Sequence, residues 1–366
     1  MRVVISGGSN SVRKKGWTAD LTSRLPVGTA VVNLSVGAST STMGAWRMMT
    51  TGGLRPGDVL IWEYAVNDRN HIGKSDTTAE TLLRHIEHVI CMARDAGARM
   101  LAVGLVSRAQ TSRGSDPYLL SLQRLFGHYC IPLFDAAAPL PGGPLGQGDF
   151  DDPNHVAVGG RVIGALINWL IERLATSDEG TVKPVEPLFR GPRRLIQLDE
   201  FQPNRVESFR NALLDLQVRR IAEGKTGLAV TNGTAMRVEV QGLAILAERR
   251  SGVLRITIGG QTRYVATGLG EQEAKGTLLR FLSFEATGGT LVLKPDEMML
   301  MTWGVPRTAA LALRLPGRLG QLAAQASNLV PVASRIHRDI GFSRQIQRNP
   351  SHQGGSRIAA VLAETL

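Results

Sequence analysis

Ser9 stands in a run of small residues, Ser6-Gly-Gly-Ser9-Asn10-Ser11, directly after the apolar segment Val3–Ser6. A strand that ends in such a turn leaves one hydroxyl exposed at the sheet edge. The N–H groups of the following helical turn then point at any anion that develops beside it. Far along the chain, Asp151-Asp152-Pro153-Asn154-His155 sets a carboxylate three residues ahead of an imidazole, just before the helical pattern Val156–Leu174. At that spacing Asp152 can reach the His155 Nδ1–H and leave Nε2 free to take a proton from a serine. Between these two motifs lie Gly37, in Asn33-Leu-Ser-Val-Gly37-Ala-Ser39, and Asn67, in Glu63-Tyr-Ala-Val-Asn67-Asp68. A glycine offers an unobstructed N–H and an asparagine a side-chain NH₂, and together they suit an oxyanion hole. The chemistry these types support is acyl transfer through a serine. Each feature by itself also has an ordinary structural reading: a tight turn with a Ser N-cap, a capping or surface histidine, a turn-forming asparagine.

The elements that must position these groups are legible in the apolar pattern. Val3–Ser6, Val31–Val36, Val59–Tyr64, Met100–Val106 and Pro132–Asp135 are predicted strands, and Trp17–Leu25, Thr78–Ala96, Tyr118–Tyr129 and Val156–Leu174 are predicted helices. In Thr78–Ala96, Leu82, Leu83, Ile86, Val89, Ile90 and Ala93 share one face, while Arg84, Glu87, His88 and Arg94 share the other. Strands alternating with helices imply a parallel sheet covered on both sides, whose carboxyl ends deliver functional residues to one edge. The four motifs fall after strand one, after strand two, after strand three and before the last helix of this region.

The series Gly7-Gly8-Ser9-Asn10-Ser11, Gly37, Ala65-Val66-Asn67-Asp68 and Asp152-x-x-His155 resembles the conserved blocks of the SGNH (GDSL-like) hydrolases over about residues 1–175. That resemblance implies a flavodoxin-like three-layer α/β/α sandwich with Ser9 as nucleophile, His155 as general base and Asp152 as its orienting partner. It further implies an oxyanion hole from the Ser9 N–H, the Gly37 N–H and the Asn67 side chain. Two positions depart from the family pattern: Gly8 stands where Gly-Asp-Ser has its aspartate, and Ala65 where Gly-x-Asn-Asp has its glycine. The run Trp62-Glu-Tyr-Ala-Val-Asn-Asp68 is similar to members linked to acyl modification of surface polysaccharides.

Residues 1–176 are thus expected to form the catalytic domain. The Pro-, Gly- and charge-rich stretch 177–192 reads as a linker, 193–315 as a β-rich, sandwich-like accessory domain opened by a helix near Arg205–Ile221, and 316–366 as a basic helical or mobile tail. Charge divides along the same line. Residues 1–180 hold 17 Lys and Arg against 16 Asp and Glu, so the second half carries nearly all of the net +11 and favours anionic partners such as an acidic glycan, a lipid surface or nucleic acid. Cys91 and Cys130 read as two inert core thiols in a reducing compartment. With no membrane-span-length apolar run and no leader pattern at Met1, the expectation is a soluble, cytoplasmic protein.

No cofactor and no metal are expected. Gly224-Lys-Thr226 lacks the leading glycine of a phosphate loop, since Arg219 occupies that position, and His71, His85 and His88 have no zinc-ligand spacing. The polar stretch between Ser107 and Tyr118 does not resemble the apolar lid of a lipid esterase. The leading reading is a serine ester hydrolase that removes an acyl group, with acetyl favoured, from a carbohydrate or small ester. The alternatives are a polysaccharide O-acyltransferase using the same residues, and a catalytically silent glycan- or nucleic-acid-binding protein. Trp46, Trp62 and Tyr64 are candidate sugar platforms near the strand ends, or equally sheet packing.

Overall fold

Five parallel strands, β1 (Arg2–Gly7), β2 (Ala30–Asn33), β3 (Val59–Glu63), β4 (Arg99–Gly104) and β5 (Leu133–Asp135), pair in the order β2-β1-β3-β4-β5 in a computed structural model of the chain. The structure describes residues 1–73, 77–111, 116–176 and 180–189. In the second half it describes 195–198, 200–202, 206–210, 214–222, 228–234, 236–247, 253–258, 261–266, 278–284, 291–295, 297–303 and 355–365. The chain divides into two compact units, Met1–Pro192 and Arg193–Leu366.

The first unit is the flavodoxin-like α/β/α sandwich. Its helices are α1 (Trp17–Arg24), α2 (Ser41–Thr50), α3 (Ala65–Gly73), α4 (Ala79–Asp95), α5 (Pro117–His128) and α6 (Arg161–Ala175). Because side chains alternate along a strand, Val3, Ile5, Val59, Ile61, Leu101 and Val103 face one side and pack with Trp17 and Leu21 of α1 and Leu166, Ile167 and Leu170 of α6. The intervening Val4, Leu60, Trp62 and Met100 are equally buried on the other side, where the Trp62 ring centroid lies 5.2 Å from that of Phe126 on α5. Burial on both faces is why these strands read as unbroken apolar runs. Local signals start the helices: the Thr78 hydroxyl accepts the Thr81 N–H ahead of α4, and Asp116 caps α5, with Pro117 at its first position.

Several elements differ from expectation. Helix α2 is buried almost throughout, so it carries no polar stripe to announce it, and α3 begins one residue after a strand that reads as running through Tyr64. The last helix starts at Arg161 rather than Val156. The residues before it form a two-stranded hairpin, β6 (Phe150–Asp152) with β7 (His155–Val156), and a turn through Gly159, whose φ of +69° favours glycine. Cys91 is buried but Cys130 is exposed just past the end of α5, so only one thiol belongs to the core. Trp46, Trp62 and Tyr64 are all buried and present no platform to a sugar. Among the described residues, no helix is long and apolar enough to cross a membrane.

The second unit is built of antiparallel sheets. Its strands are β8 (Leu195–Leu198), β9 (Glu200–Gln202), β10 (Val206–Arg210), β11 (Asp215–Ala222), β12 (Leu228–Thr231), β13 (Val238–Ala247), β14 (Val253–Ile258), β15 (Gln261–Ala266), β16 (Leu278–Ser283), β17 (Leu291–Leu293), β18 (Met298–Trp303) and β19 (Gly355–Thr365). One sheet runs β10-β11-β19-β13-β16, with β8 on β19 and β17 on β13, and the other runs β15-β14-β18-β12-β9. Val238, Val240, Leu243, Leu254, Ile256, Leu291, Met299 and Met301 share its core. At the bulge in β13 a Cβ on Gly242 would lie 2.1 Å from the Leu282 carbonyl oxygen, so only glycine fits.

Two segments expected to be helical are strands where they are described. Over 205–221, Leu214, Leu216 and Val218 are buried with Gln217 exposed between them, a period of two, and β10 pairs with β11. The tail ends as β19, held between β11 and β13 despite its alanine- and leucine-rich composition, because pairing on both sides outweighs helix propensity. The rest of the expected helical tail lies outside the described residues.

Candidate active site

Ser9 opens a 3₁₀ turn, Ser9–Ser11, immediately beyond β1, and is half-buried between a buried Gly8 and a buried Asn10. Three strand ends meet this turn. The Gly8 N–H donates to the Glu63 carbonyl at 2.7 Å and the Val36 N–H donates to the Gly7 carbonyl at 3.0 Å, which brings the segments carrying Asn67 and Gly37 to the serine. A Cβ on Gly37 would lie 3.9 Å from both Cα and Cβ of Ser9. A Cβ on Gly8 would lie 2.1 Å from Asn67 Oδ1 and 3.1 Å from Nδ2, so the Asn67 carboxamide rests directly on the Ser9 turn. In this chain a side chain at position 8 and the Asn67 carboxamide would compete for one space.

The residue after Gly37 carries a backbone cost. Ala38 is held at φ +54°, a left-handed conformation that penalises an L side chain. Ala38→Gly is expected to stabilise the first unit by about 1 kcal/mol, read as a higher urea midpoint at unchanged slope. An unchanged or lower midpoint would show that the strain is relieved elsewhere.

Asp152 and His155 face each other across the β6–β7 turn. Asp152 Oδ1 accepts the Asn154 N–H at 2.8 Å and the His155 N–H at 3.0 Å, an Asx-type turn that Pro153 favours through its restricted φ. The other oxygen, Oδ2, lies 2.6 Å from His155 Nδ1, which directs Nε2 away from the carboxylate. Burial pushes the Asp152 carboxyl up, but the Asn154 N–H, the imidazole and the His155 N–H outweigh it and hold the group below the usual carboxylate range. It stays ionised opposite the imidazole.

Residues not singled out from the sequence hold this hairpin against the serine turn. Asn10 Nδ2 donates to the Asn154 carbonyl at 3.2 Å and Asn10 Oδ1 accepts the Val156 N–H at 3.2 Å, bracketing His155 from the residue next to Ser9. Arg13 donates to the Val156 carbonyl at 2.9 Å and to Asp151 at 2.6 Å. Asn70, on α3, donates to Asn154 Oδ1 at 3.2 Å, and the Arg108 N–H to the Pro153 carbonyl at 3.0 Å. Beneath Asn67, Asp68 is fully buried. It accepts the Ser41 N–H at 2.8 Å, the Ser41 hydroxyl, and the Tyr118 hydroxyl at 2.7 Å, tying the start of α3 to α2 and α5. Burial pushes its carboxyl up to about 6, against those hydrogen bonds. The adjacency of Asn10 to Ser9 was the one available sequence signal; the others are long-range contacts.

Comparison with solved structures gives a match over the whole chain to a two-domain esterase (CEX) active on acetylated mannans, at TM-score 0.57 and 12% identity, covering 100% of this chain and 91% of that one. An acetyl xylan esterase (TM-score 0.39, 16% identity, 47% of this chain and 99% of that one) also matches. So does a member of the lipolytic G-D-S-L family from Veillonella parvula (0.38, 13%, 47% and 97%). No family model matches the sequence. No curated protein matches it either. What the first match shows is architecture: this chain has the two-domain fold of that esterase, with an α/β/α unit of the kind expected from the resemblance to SGNH hydrolases and a β-rich second unit.

Proposed function

We propose that this protein is a serine esterase that removes an acetyl group from a carbohydrate ester through Ser9, His155 and Asp152. The observation that carries the reading is the 2.6 Å contact between Asp152 Oδ2 and His155 Nδ1, on a hairpin that Asn10 binds to the Ser9 turn. His155 Nε2 takes the Ser9 proton as Oγ attacks the ester carbonyl, and the resulting oxyanion is held by the Ser9 and Gly37 N–H groups and the Asn67 carboxamide. The imidazolium returns the proton to the departing sugar oxygen, leaving an acetylated Ser9. Water, deprotonated by the same imidazole, then releases acetate. Acetyl and carbohydrate are favoured because the full-length structural match is to an esterase active on acetylated mannans. The second unit carries the basic excess, which suits it to hold an anionic glycan.

The test is covalent labelling with an alkyl fluorophosphonate, followed by peptide mass spectrometry and assays of p-nitrophenyl acetate hydrolysis and acetate release from acetylated mannan. One adduct, on Ser9, together with loss of both activities is the expected result. Hydrolysis that survives stoichiometric labelling, or an adduct on another residue, would remove Ser9 as nucleophile. Unlabelled protein that cleaves the small ester, and loses that activity on labelling at Ser9, but releases nothing from mannan would retire the carbohydrate assignment alone.

A further inference from the structure

Glu63 is the last residue of β3, opposite Gly7 of β1, and it is fully buried. It touches the nucleophile turn at two points. Its carbonyl accepts the Gly8 N–H at 2.7 Å, and its carboxyl Oε2 lies 2.6 Å from the Ser11 hydroxyl. Ser9 sits between those two anchors. The packing leaves little slack, since a Cβ on Gly7 would fall 2.2 Å from Ser11 Oγ and 2.8 Å from the Glu63 carbonyl oxygen. The far side of the turn is fixed as well, because the Ser11 carbonyl accepts the Asn33 side-chain NH₂ at 2.8 Å. Asn67 follows Glu63 by four residues and lays its carboxamide on Gly8. Glu63 thus joins the chain segment that carries the nucleophile to the one that carries an oxyanion donor.

Packing alone gives no reason for a carboxyl here. Oε1 is buried without a hydrogen-bond partner among the described residues, which costs free energy that a leucine or methionine of similar volume would not incur. We propose that Glu63 is a positioning residue for Ser9, holding the nucleophile turn in register with Asn67 through the Ser11 hydroxyl. This rests on the reading of Ser9 as the nucleophile.

The protonated form is the one that fits. Burial pushes the carboxyl up to about 8, and Asp68 on α3 adds to the rise, while the Ser11 hydroxyl and the Gly8 N–H oppose it. Tyr64, the next residue along the chain and also buried, is a further titratable group beside Glu63, whose charge helps to keep the phenol protonated. A carboxyl whose folded value lies above its unfolded value of about 4.3 costs nothing below that value. Its cost grows as pH rises from there toward 8 and is constant beyond. Glu63→Gln, which cannot ionise, should therefore gain in Tm relative to wild type as pH is raised from 5 to about 8.

The decisive experiment compares wild type, Glu63→Ala and Glu63→Gln for p-nitrophenyl acetate hydrolysis across pH, with folding checked by circular dichroism and phosphonate-labelled wild type as the blank. Glu63→Ala is expected to lose about 10²-fold in kcat at nearly unchanged KM, since a misplaced nucleophile harms the transition state rather than ground-state binding. Glu63→Gln should restore most of that loss, and its kcat should hold above pH 8, where that of the wild type falls. Wild-type kcat in Glu63→Ala, or a Gln variant no better than Ala with the same alkaline decline as wild type, would overturn the role. Wild type that neither turns over nor labels at Ser9 would instead remove the nucleophile, and this role with it.

Discussion

Asp152→Asn is expected to lower kcat for p-nitrophenyl acetate by about 10⁴, the size seen when the aspartate of a serine triad of the same design is made an amide. The substitution is instructive because it spares the turn. An asparagine keeps Oδ1, which accepts the Asn154 and His155 N–H groups at 2.8 and 3.0 Å, so the β6–β7 hairpin should keep its shape. What changes is the atom 2.6 Å from His155 Nδ1. An NH₂ there donates to Nδ1 instead of accepting from it, which leaves the ring proton on Nε2, where a base must be bare. The measurement is kcat beside the thermal melt. A large loss of kcat with a melt within a few degrees of wild type is the expected pair, and activity within about tenfold of wild type would detach Asp152 from the mechanism.

Gly8→Ala is expected to cost about 10²–10³ in kcat, the usual price of one oxyanion donor. Backbone strain is not the cause, since Gly8 has φ −88°, which any residue adopts. The cause is the 2.1 Å approach of the added methyl to Asn67 Oδ1, which forces the carboxamide off the turn. Asn67→Ala removes the same proposed donor and also vacates the space. The two losses should therefore overlap rather than add: Gly8→Ala placed in the Asn67→Ala protein should change kcat by little and cost less stability than it does in wild type. Additive losses would mean that Gly8 acts on Ser9 by a route other than Asn67.

The sheet was legible because its three central strands, β1, β3 and β4, are buried on both faces and write continuous apolar runs, while α1, α4 and α5 show a one-sided stripe or a cap. Helices α2 and α3 were not, because the first is buried nearly all round and the second starts where a strand pattern has just ended. In the second unit, 205–221 has apolar spacing compatible with either period, and its pairing partners decide for strand.

The sequence by itself determined the types and order of the groups at the sheet edge: a serine after strand one, a glycine after strand two, an asparagine after strand three, and an aspartate three residues before a histidine. Those follow from local chain chemistry, since turn residues and strand periodicity act over a few positions. Only the tertiary structure decided that Asp152 and His155 lie on a hairpin rather than at a helix start. The same is true of Asn10 tying that hairpin to Ser9 from 144 residues away, and of Glu63 reaching Ser11 across 52. Such contacts join segments whose own patterns are indifferent to one another. They exist because closing the sheet β2-β1-β3-β4-β5 brings the strand ends together and leaves each buried polar group to find whatever partner lies within reach.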